Sequence, residues 1–297
     1  MGGSTIASGN HSHAEGGGTN SSGTCSHSEG AGTISSNSAS HAEGWCTTAS
    51  GEGSHSEGED LVADNKSYRT TASGKGSHAE GIGTVASGEG SHSEGVSIKN
   101  QSGSIKITTS SGKGSHAEGI GTSASGEGAH AEGKETVSKA SFAHAEGYQT
   151  SAEGTYSHAE GYTSRAAGDS AHAEGQNAQA VGNYSHAEGY STTAHANYSH
   201  AEGRGTYANA DCQHVQGKYN KQDTEEKYAF IIGNGTNALP SNAFAIDWNG
   251  LIYVNNASTG VNVATLASTI STMSDTITSL EARIAALEGN TTDQITE

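Results

Sequence analysis

Small and polar residues alternate along the first 217 residues, and large hydrophobic residues are rare there. The unit "SHAEG" recurs throughout this part, sometimes with Ser in place of Ala. Successive side chains of a β-strand point to opposite faces, so Ser and Ala face one side while His and Glu face the other. The pattern therefore predicts short strands with a core of small side chains and with His and Glu on the other face.

The unit returns with a fixed period. Its histidines lie at 13, 27, 41, 55, 78, 92, 116, 130, 144, 158, 172, 186, 200 and 214, so the interval is 14 residues except for two of 23 and 24. Gly follows three residues later in all fourteen copies, and Glu two residues later in thirteen, with Gln216 as the exception. Disordered low-complexity sequence does not keep register through insertions, whereas a repeat protein does. We therefore predict an all-β solenoid over 1–217, with insertions at about 59–68 and 96–105.

Fourteen residues suit two short strands and two tight turns. "SHAE" forms one strand, closed by the invariant Gly, which adopts positive φ or lets another backbone approach closely. A "T-x-A-S" segment forms the second strand. Helical coils are unfavourable, because each period holds several Gly and hydroxyl-bearing residues.

Composition agrees with a thin repeat architecture. The chain has 297 residues, with 43 Gly, one Pro, 31% hydrophobic and 5% aromatic residues, too few for a core of Leu, Ile and Phe. The net charge of −18 argues against nucleic acid or an anionic membrane as a partner. Neither a membrane span nor a signal peptide is expected. The odd, widely spaced cysteines Cys25, Cys46 and Cys212 predict free thiols, and we expect no cofactor.

The His-x-Glu pair is the main candidate for chemistry. It barely varies between copies, which predicts a uniform surrounding, namely the next coil and neighbouring chains. We interpret it as a structural ladder of charge-assisted hydrogen bonds at an oligomer interface. A string of bound metal ions is a weaker alternative, since no copy brings third and fourth ligands of its own. The ladder residues taken as representative are His13, Glu15, His78, Glu80, His144, Glu146, His186, Glu188, His200 and Glu202.

Recognition residues are expected on the outward face. Exposed rings can contact sugars or anchor a protein partner, although stacking from coil to coil is the simpler reading. The insertions interrupt the roll as decorating loops do, and loops on a rigid scaffold often carry recognition. The receptor-binding candidates are Trp45, Asp60, Asn65, Tyr68, Lys99, Asn100, Tyr148, Tyr162 and Tyr190.

Beyond the repeat, two further segments are predicted. Residues 218–257 form a β-rich transition with a hairpin that turns at Asn249 and Gly250, and Phe244, Ile246 and Trp248 share one face. Residues 258–289 form a coiled coil, and 290–297 a frayed tail. The core positions of the coiled coil are Val263, Ile270, Ile277 and Ile284 at a, and Leu266, Met273, Leu280 and Leu287 at d.

The 14-residue period with S-x-A-x-G resembles the head repeat of trimeric autotransporter adhesins. "SHAEG" followed by "GKYN" (217–220), "YAFIIGNGT" (228–236) and "SNAFAIDWNG" (241–250) is more similar to tail-fibre and minor structural proteins of phages and prophages of Gram-positive bacteria. The resemblance implies a left-handed parallel β-roll in which three chains pack side by side. The chain differs from the autotransporters, since we expect neither their signal peptide nor their C-terminal membrane anchor.

Two signals disagree on how many chains the helix joins. β-Branched residues at a with Leu at d favour two strands. "RIAALE" (283–288) instead resembles a trimer pattern, in which Arg283 would pair with Glu288 of a neighbouring chain. Because the roll also resembles a trimeric fold, we predict three.

The resemblance implies a non-enzymatic, homotrimeric fibrous protein of a phage or prophage particle. It would act as a tail fibre, receptor-binding or spacer element in the virion, with other virion proteins and a host cell-surface glycan or protein as partners. The alternatives are a bacterial surface adhesin, extracellular or on the cell surface, and a polysaccharide-degrading tail spike. The spike would need two differently tuned carboxylates in a cleft, and we expect the repeated glutamates to share one environment.

Overall fold

The computed structural model describes residues 4–256 and 262–293, with no side chain described at 264 or 288–293. The chain is a parallel β-solenoid with coils of about 14 residues, followed by a small β-rich cap and a C-terminal α-helix. Each coil contributes one strand to each of two parallel sheets, as the sequence predicts.

One sheet, here called the histidine sheet, collects the strands that begin at the motif histidines and continues into the cap. Its strands are His13–Ala14, His27–Ser28, His41–Ala42, His55–Glu59, His78–Ile82, His92–Val96, His116–Ile120, His130–Lys134, His144–Tyr148, His158–Ala159, His172–Gln176, His186–Tyr190, His200–Arg204, His214–Lys218, Tyr228–Asn234, Asn242–Asp247 and Ile252–Val254.

The other sheet, here called the alanine sheet, has fourteen two-residue strands. They are Ile6–Ala7, Asn20–Ser21, Ile34–Ser35, Thr48–Ala49, Thr71–Ala72, Val85–Ala86, Thr109–Ser110, Ser123–Ala124, Val137–Ser138, Ser151–Ala152, Arg165–Ala166, Gln179–Ala180, Thr193–Ala194 and Tyr207–Ala208. Pairing is in register by whole periods, so that His78, for example, lies opposite His55 and His92.

The interior consists of small side chains, as predicted. In one coil Ser77, Ala79 and Thr84 are at most 1% exposed. In this coil both buried hydroxyls are hydrogen-bonded: Ser77 Oγ donates to the carbonyl of Gly74 at 2.8 Å, and Thr84 Oγ1 to that of Glu80 at 3.0 Å. Hydroxyl and methyl groups therefore fill a space too narrow for larger residues without leaving these polar atoms unpaired.

The invariant Gly is required for two reasons at once. Gly147 has φ of 103°, and a Cβ on it would lie 2.3 Å from the carbonyl oxygen of Gly161 in the next coil. Both expectations, positive φ and close backbone approach, are confirmed. The expectation that this Gly closes the strand is wrong for the longer strands, because His144–Tyr148 runs through Gly147. The parallel pairing continues past the Gly, since its bare backbone lets adjacent coils stay in contact.

The cap begins where the repeat departs from its consensus. Val215 replaces the usual small residue and pairs with Ile231 of the next strand, and both are fully buried. Gln213 replaces the usual Ser and is also fully buried. Its Nε2 donates to Asp223 Oδ2 at 3.0 Å and to the carbonyl of Tyr228 at 2.7 Å. Larger side chains thus close the end of a core that is otherwise made of Ala, Ser and Thr.

A hairpin completes the cap, as predicted, with Asn242–Asp247 antiparallel to Ile252–Val254. The placement of Trp248 on the strand face is wrong. Trp248 follows the strand in the turn, half exposed, and its Nε1 donates to the carbonyl of Glu226 at 3.0 Å. The turn starts one residue earlier than expected, because the side chain of Asp247 accepts the amides of Asn249 and Leu251 and fixes it there.

Both insertions fold into antiparallel β-hairpins on the side of the roll. The first pairs Leu61–Ala63 with Lys66–Tyr68, and the second pairs Ile98–Lys99 with Ile105–Lys106. Each packs over a glycine of the following coils: a Cβ on Gly83 would meet Leu61, and one on Gly121 would meet Lys106, both at 2.8 Å. The hairpins are therefore seated on the solenoid at defined positions.

The C-terminal α-helix spans Val263–Asp293. The side chain of Asn262 caps it by accepting the amide of Thr265 at 3.1 Å. The helix continues past residue 289, where the predicted coiled coil ends. Gly, Asn and Thr are weak helix formers, but no Pro interrupts the backbone hydrogen bonds there. The part of the predicted coiled-coil segment at 257–261, the tail residues 294–297 and the side chain of Glu288, hence its proposed pair with Arg283, lie outside the described residues.

Candidate functional site

The motif histidines form a continuous ladder of stacked rings within one chain. From His27 to His214 consecutive ring centroids are 4.6 to 5.0 Å apart, and most planes are within 9° of parallel. The carboxylates run beside the rings: His78 Nε2 lies 3.7 Å from an oxygen of both Glu57 and Glu80. These distances are too long for ordinary hydrogen bonds. Within the chain, the ladder is held by stacking and electrostatic contact.

The ladder is only partly accessible from outside. The side chains of His78 and Glu80 are 36% and 35% exposed. The Nε2 atom is itself buried and, among the described residues, has no hydrogen-bond partner in any copy from His27 to His214. A neighbouring chain could therefore contact the ring edge and the carboxylate, but would reach Nε2 only after a side-chain rotation. The oligomer interface assigned to this ladder stays a prediction.

A metal site would need the rings to turn. The ligand atoms of His78, Glu80 and His92 lie within 4.8 Å of one another, and other coils repeat this triad. The rings of His78 and His92 are 4.8 Å apart and 8° from parallel, so their in-plane lone pairs run side by side. A zinc ion at about 2.1 Å from both nitrogens needs lone pairs that converge. Metal binding would therefore disrupt the stack.

The glutamates are placed alike along the ladder, but their carboxyls do not titrate alike. Glu160 lies between Glu146 and Glu174, and hydrogen bonds to both carboxyls raise its pKa to about 7. Glu80 is placed in the same way and its pKa is likewise raised to about 7, chiefly by Glu57. Stacked carboxylates repel each other, so some of them retain a proton that is shared with their neighbours. These carboxyls are in hydrogen-bonding contact, closer than the roughly 5–10 Å between the two acids of a glycosidase.

The histidines are shifted in the opposite sense. Burial against the neighbouring rings lowers the pKa of His158, and the charges of His144 and His172 lower it further, while Glu146 and Glu174 oppose the shift. The same direction holds for His92, His144, His172, His186 and His200. The folded state therefore favours the neutral ring.

Replacing His158 with Asn is expected to destabilise the solenoid more at pH 7.5 than at pH 5. A lowered histidine pKa gives stability that is complete above the unfolded value near 6.5 and is lost as the pH falls through the folded value. The variant lacks this titration, so the difference in melting temperature between it and the wild type should shrink in acid. Thermal unfolding at both pH values measures it, and a difference that stays constant or grows would contradict the assignment.

Glu160→Gln is the matched control of opposite sign. A carboxyl whose pKa is raised to about 7 loses stability as the pH rises from its unfolded value near 4.5 towards 7. The glutamine of the variant cannot ionise, so the variant does not lose this stability. Its free energy of unfolding relative to that of the wild type should therefore increase from pH 5 to pH 7.5.

One groove runs along the glutamates of the ladder. It has a volume of about 820 Å³ and is lined by glutamates and glycines of successive coils from Glu15 to Gly95. A row of like side chains and bare backbone gives no local combination of groups that distinguishes one coil from another. The groove therefore offers a repetitive contact surface but no individual site.

The outward aromatic residues mostly stack on one another. The rings of Tyr148 and Tyr162 are 5.0 Å apart and 6° from parallel. The guanidinium of Arg204 lies 5.4 Å from the ring centre of Tyr190. With faces covered in this way, these residues offer ring edges and hydroxyls, which favours hydrogen bonding over face-to-face contact with sugars. Trp45 is 60% exposed and lies apart, near the start of the solenoid.

The hairpins bring some predicted recognition residues together. Lys99 of the second hairpin pairs with Asp64 of the first at 2.5 Å, which ties the two hairpins together. In the first hairpin Asp60 accepts a hydrogen bond from Ser67, Asn65 occupies the tight turn with φ of 59°, and Tyr68 pairs with Leu61. These three predicted residues thus have structural roles within their own hairpin.

A second group meets at the foot of the second hairpin. A cleft of about 360 Å³, here called the hairpin cleft, lies between the hairpin loop and two later coils. Of the predicted candidates it contains Lys99, Asn100 and Tyr148. Ile98, Gln101 and Ser102 belong to the insertion that the sequence analysis named as a recognition loop. Sequence reasoning missed Lys134, Glu135 and Gln149, which occupy ordinary-looking positions four and five residues after a motif histidine. The cleft is lined by Ile98, Lys99, Asn100, Gln101, Ser102, Lys134, Glu135, Tyr148 and Gln149.

Comparisons with known proteins add no assignment: no protein-family model matches the chain, and no curated protein is similar to it. Among the described residues, no helix has the length and hydrophobicity needed to span a membrane.

Proposed function

We propose that three copies of this chain assemble in parallel into a fibrous trimer. The observation that carries the proposal is the apolar stripe of the C-terminal helix. All eight residues at positions a and d, from Val263 to Leu287, are 48 to 67% exposed in the single chain. Such a stripe over four heptads leaves water when helices pair along it. The pattern "RIAALE" and the resemblance to trimeric adhesin heads both favour three chains over two. The same resemblance favours a left-handed roll.

The solenoid would add to the same assembly. A core made of Ala, Ser and Thr buries little apolar surface per residue, so association of rolls would stabilise each chain. From His27 to His200 the histidine ladder is regular and about one third exposed, which suits contact with an equally regular neighbour. A neighbouring copy of the same chain has that property.

The function we propose is host-surface attachment, without catalysis, as a tail-fibre, receptor-binding or spacer element of a phage or prophage particle. Its support is the resemblance of the repeat and closing segments to phage fibre proteins, together with a rigid rod that presents hairpins on its side. Three parallel chains would present each hairpin three times and so gain avidity for repeated surface sites. A bacterial surface adhesin and a polysaccharide-degrading spike remain the alternatives.

Binding of the fluorescently labelled protein to a panel of Gram-positive strains tests the proposal. We expect binding to a subset of strains, about 100-fold weaker for a variant that cannot trimerise. Flow cytometry over a concentration series measures both. Release of sugar from wall polysaccharide would favour the spike instead, and detection of the protein on particle-free bacterial surfaces would favour the adhesin. Failure to bind any strain would restrict the role to a spacer.

A further inference from the structure

The hairpin cleft joins a variable loop to the repetitive scaffold. The loop is held in shape by Asn100, whose Oδ1 accepts the amide of Ser104 at 2.9 Å and the hydroxyl of Ser102 at 2.7 Å. The base of the hairpin is fixed by Ser97, whose hydroxyl donates to the carbonyl of Gly83 at 2.7 Å and accepts the amide of Thr108 at 2.9 Å. One wall of the cleft is therefore formed before any ligand binds.

The opposite wall belongs to two successive coils. The ammonium of Lys134 lies 5.6 Å from the ring centre of Tyr148, and Gln149 donates to the carboxylate of Glu135 at 3.1 Å. One face of Tyr148 is covered by Lys134 and the other by Tyr162. Its edge and hydroxyl are what it can offer to a ligand.

The groups that line the cleft are mixed in chemistry and nearly balanced in charge. Lys99 is already paired with Asp64, and Lys134 faces the cleft together with Glu135. Asn100 Oδ1, the proton of the Ser102 hydroxyl and one N–H of Gln149 are used within the protein. The Nδ2 of Asn100, the amide of Gln101, the Oε1 of Gln149 and the hydroxyl of Tyr148 still provide both donors and acceptors. This set suits a ligand whose own groups both donate and accept without net charge, as sugar hydroxyls do. The volume of about 360 Å³ lies at the small end of the range for ligand pockets.

We propose that the hairpin cleft binds a neutral, hydroxyl-rich saccharide unit of a cell-surface glycan, held between the hairpin loop and the coils that carry Lys134 and Tyr148. This inference rests on the proposed function, since it names the ligand class and the residues of a receptor-binding fibre. In a trimer the site would occur three times, and a repeating glycan could occupy more than one copy.

The test compares variants on an array of defined neutral and anionic oligosaccharides of Gram-positive cell surfaces. Lys134→Met and Tyr148→Phe should each weaken binding of a neutral oligosaccharide about tenfold, the effect of losing one good hydrogen bond from a binding site. The matched controls are Lys218→Met, four residues after a motif histidine like Lys134 but outside the cleft, and Tyr184→Phe, whose ring also stacks on a tyrosine of the next coil. Both controls should bind as the wild type does, and unchanged melting temperatures should show that all four variants fold.

Three results would overturn the inference: no neutral oligosaccharide bound by the wild type, an equal loss in variants and controls, or binding confined to phosphate- or carboxylate-bearing sugars. The same variants in the cell-binding assay separate this inference from the proposed function. If the wild type binds cells and Lys134→Met and Tyr148→Phe bind equally well, the cleft is wrong and attachment stands. If the wild type binds no cells, attachment itself fails.

Discussion

Replacing Gly147 with Ala is expected to destabilise the solenoid by about 3–5 kcal/mol, the combined effect of a strained backbone and an overpacked contact. The new Cβ would lie 2.3 Å from the carbonyl oxygen of Gly161 in the next coil, at a residue whose φ is 103°. Backbone of a neighbouring coil cannot move aside as a flexible side chain can, so the strands must separate locally. Chemical denaturation of the purified variant measures the loss.

Gly76→Ala is the control that separates the two causes. Gly76 also has positive φ, 62°, but no atom lies within 4 Å of the position of its Cβ. Only the backbone strain remains there, which costs about 1–2 kcal/mol. Equal losses in the two variants would show that close contact between coils contributes nothing, contrary to the account given above.

Replacing both Ile270 and Ile277 with Asp is expected to dissociate the proposed trimer into single chains in solution. Both residues lie at position a and are more than half exposed in the single chain. Six carboxylates in the core of a three-stranded coil would lose hydration and repel each other, a cost that the remaining apolar pairs cannot offset. Static light scattering coupled to size exclusion gives the mass of each species.

The double variant Ser271→Asp and Thr278→Asp adds the same charges one residue later, at position b on the outside of the coil. It should keep the mass of the wild type. A wild-type mass of one chain would contradict trimerisation, and a mass of two would contradict the choice of three chains. If the Ile variant keeps the wild-type mass, the solenoid alone holds the chains together.

The solenoid could be predicted from the sequence because its rule is local and repeated. The alternation in "SHAEG" placed Ser77 and Ala79 inside and His78 and Glu80 on the other face, and the fixed interval gave the register between coils. Variation was also informative: Gln213 and Val215 depart from the consensus where the core widens into the cap. The strands of the solenoid follow from which side chains fit its narrow interior, and the same requirement recurs in every 14-residue period.

The hairpin cleft could not be predicted, because it forms only where the second hairpin extends over coils that come later in the sequence. Lys134 and Gln149 occupy positions that vary from copy to copy, and nothing in their own coils marks them. They matter because the hairpin inserted after His92 extends over the coils of His130 and His144. Electrostatic differences between identical residues were also hidden, since the pKa of Glu160 depends on which of its neighbours is charged. The repeat pattern predicts where a residue lies along the roll, whereas the groups that surround the residue in space determine its chemistry.

Whole-period registry makes the roll a molecular ruler. Each coil pairs residue for residue with the next, as His130 does with His144, so a gain or loss of 14 residues would lengthen or shorten the rod by one strand spacing, about 4.8 Å. Duplications outside the stretch from the hairpins to Gln149 would change the length of the rod and leave the hairpin cleft intact. Reach and recognition are thus separable quantities in this architecture, and each could be altered while the other is preserved.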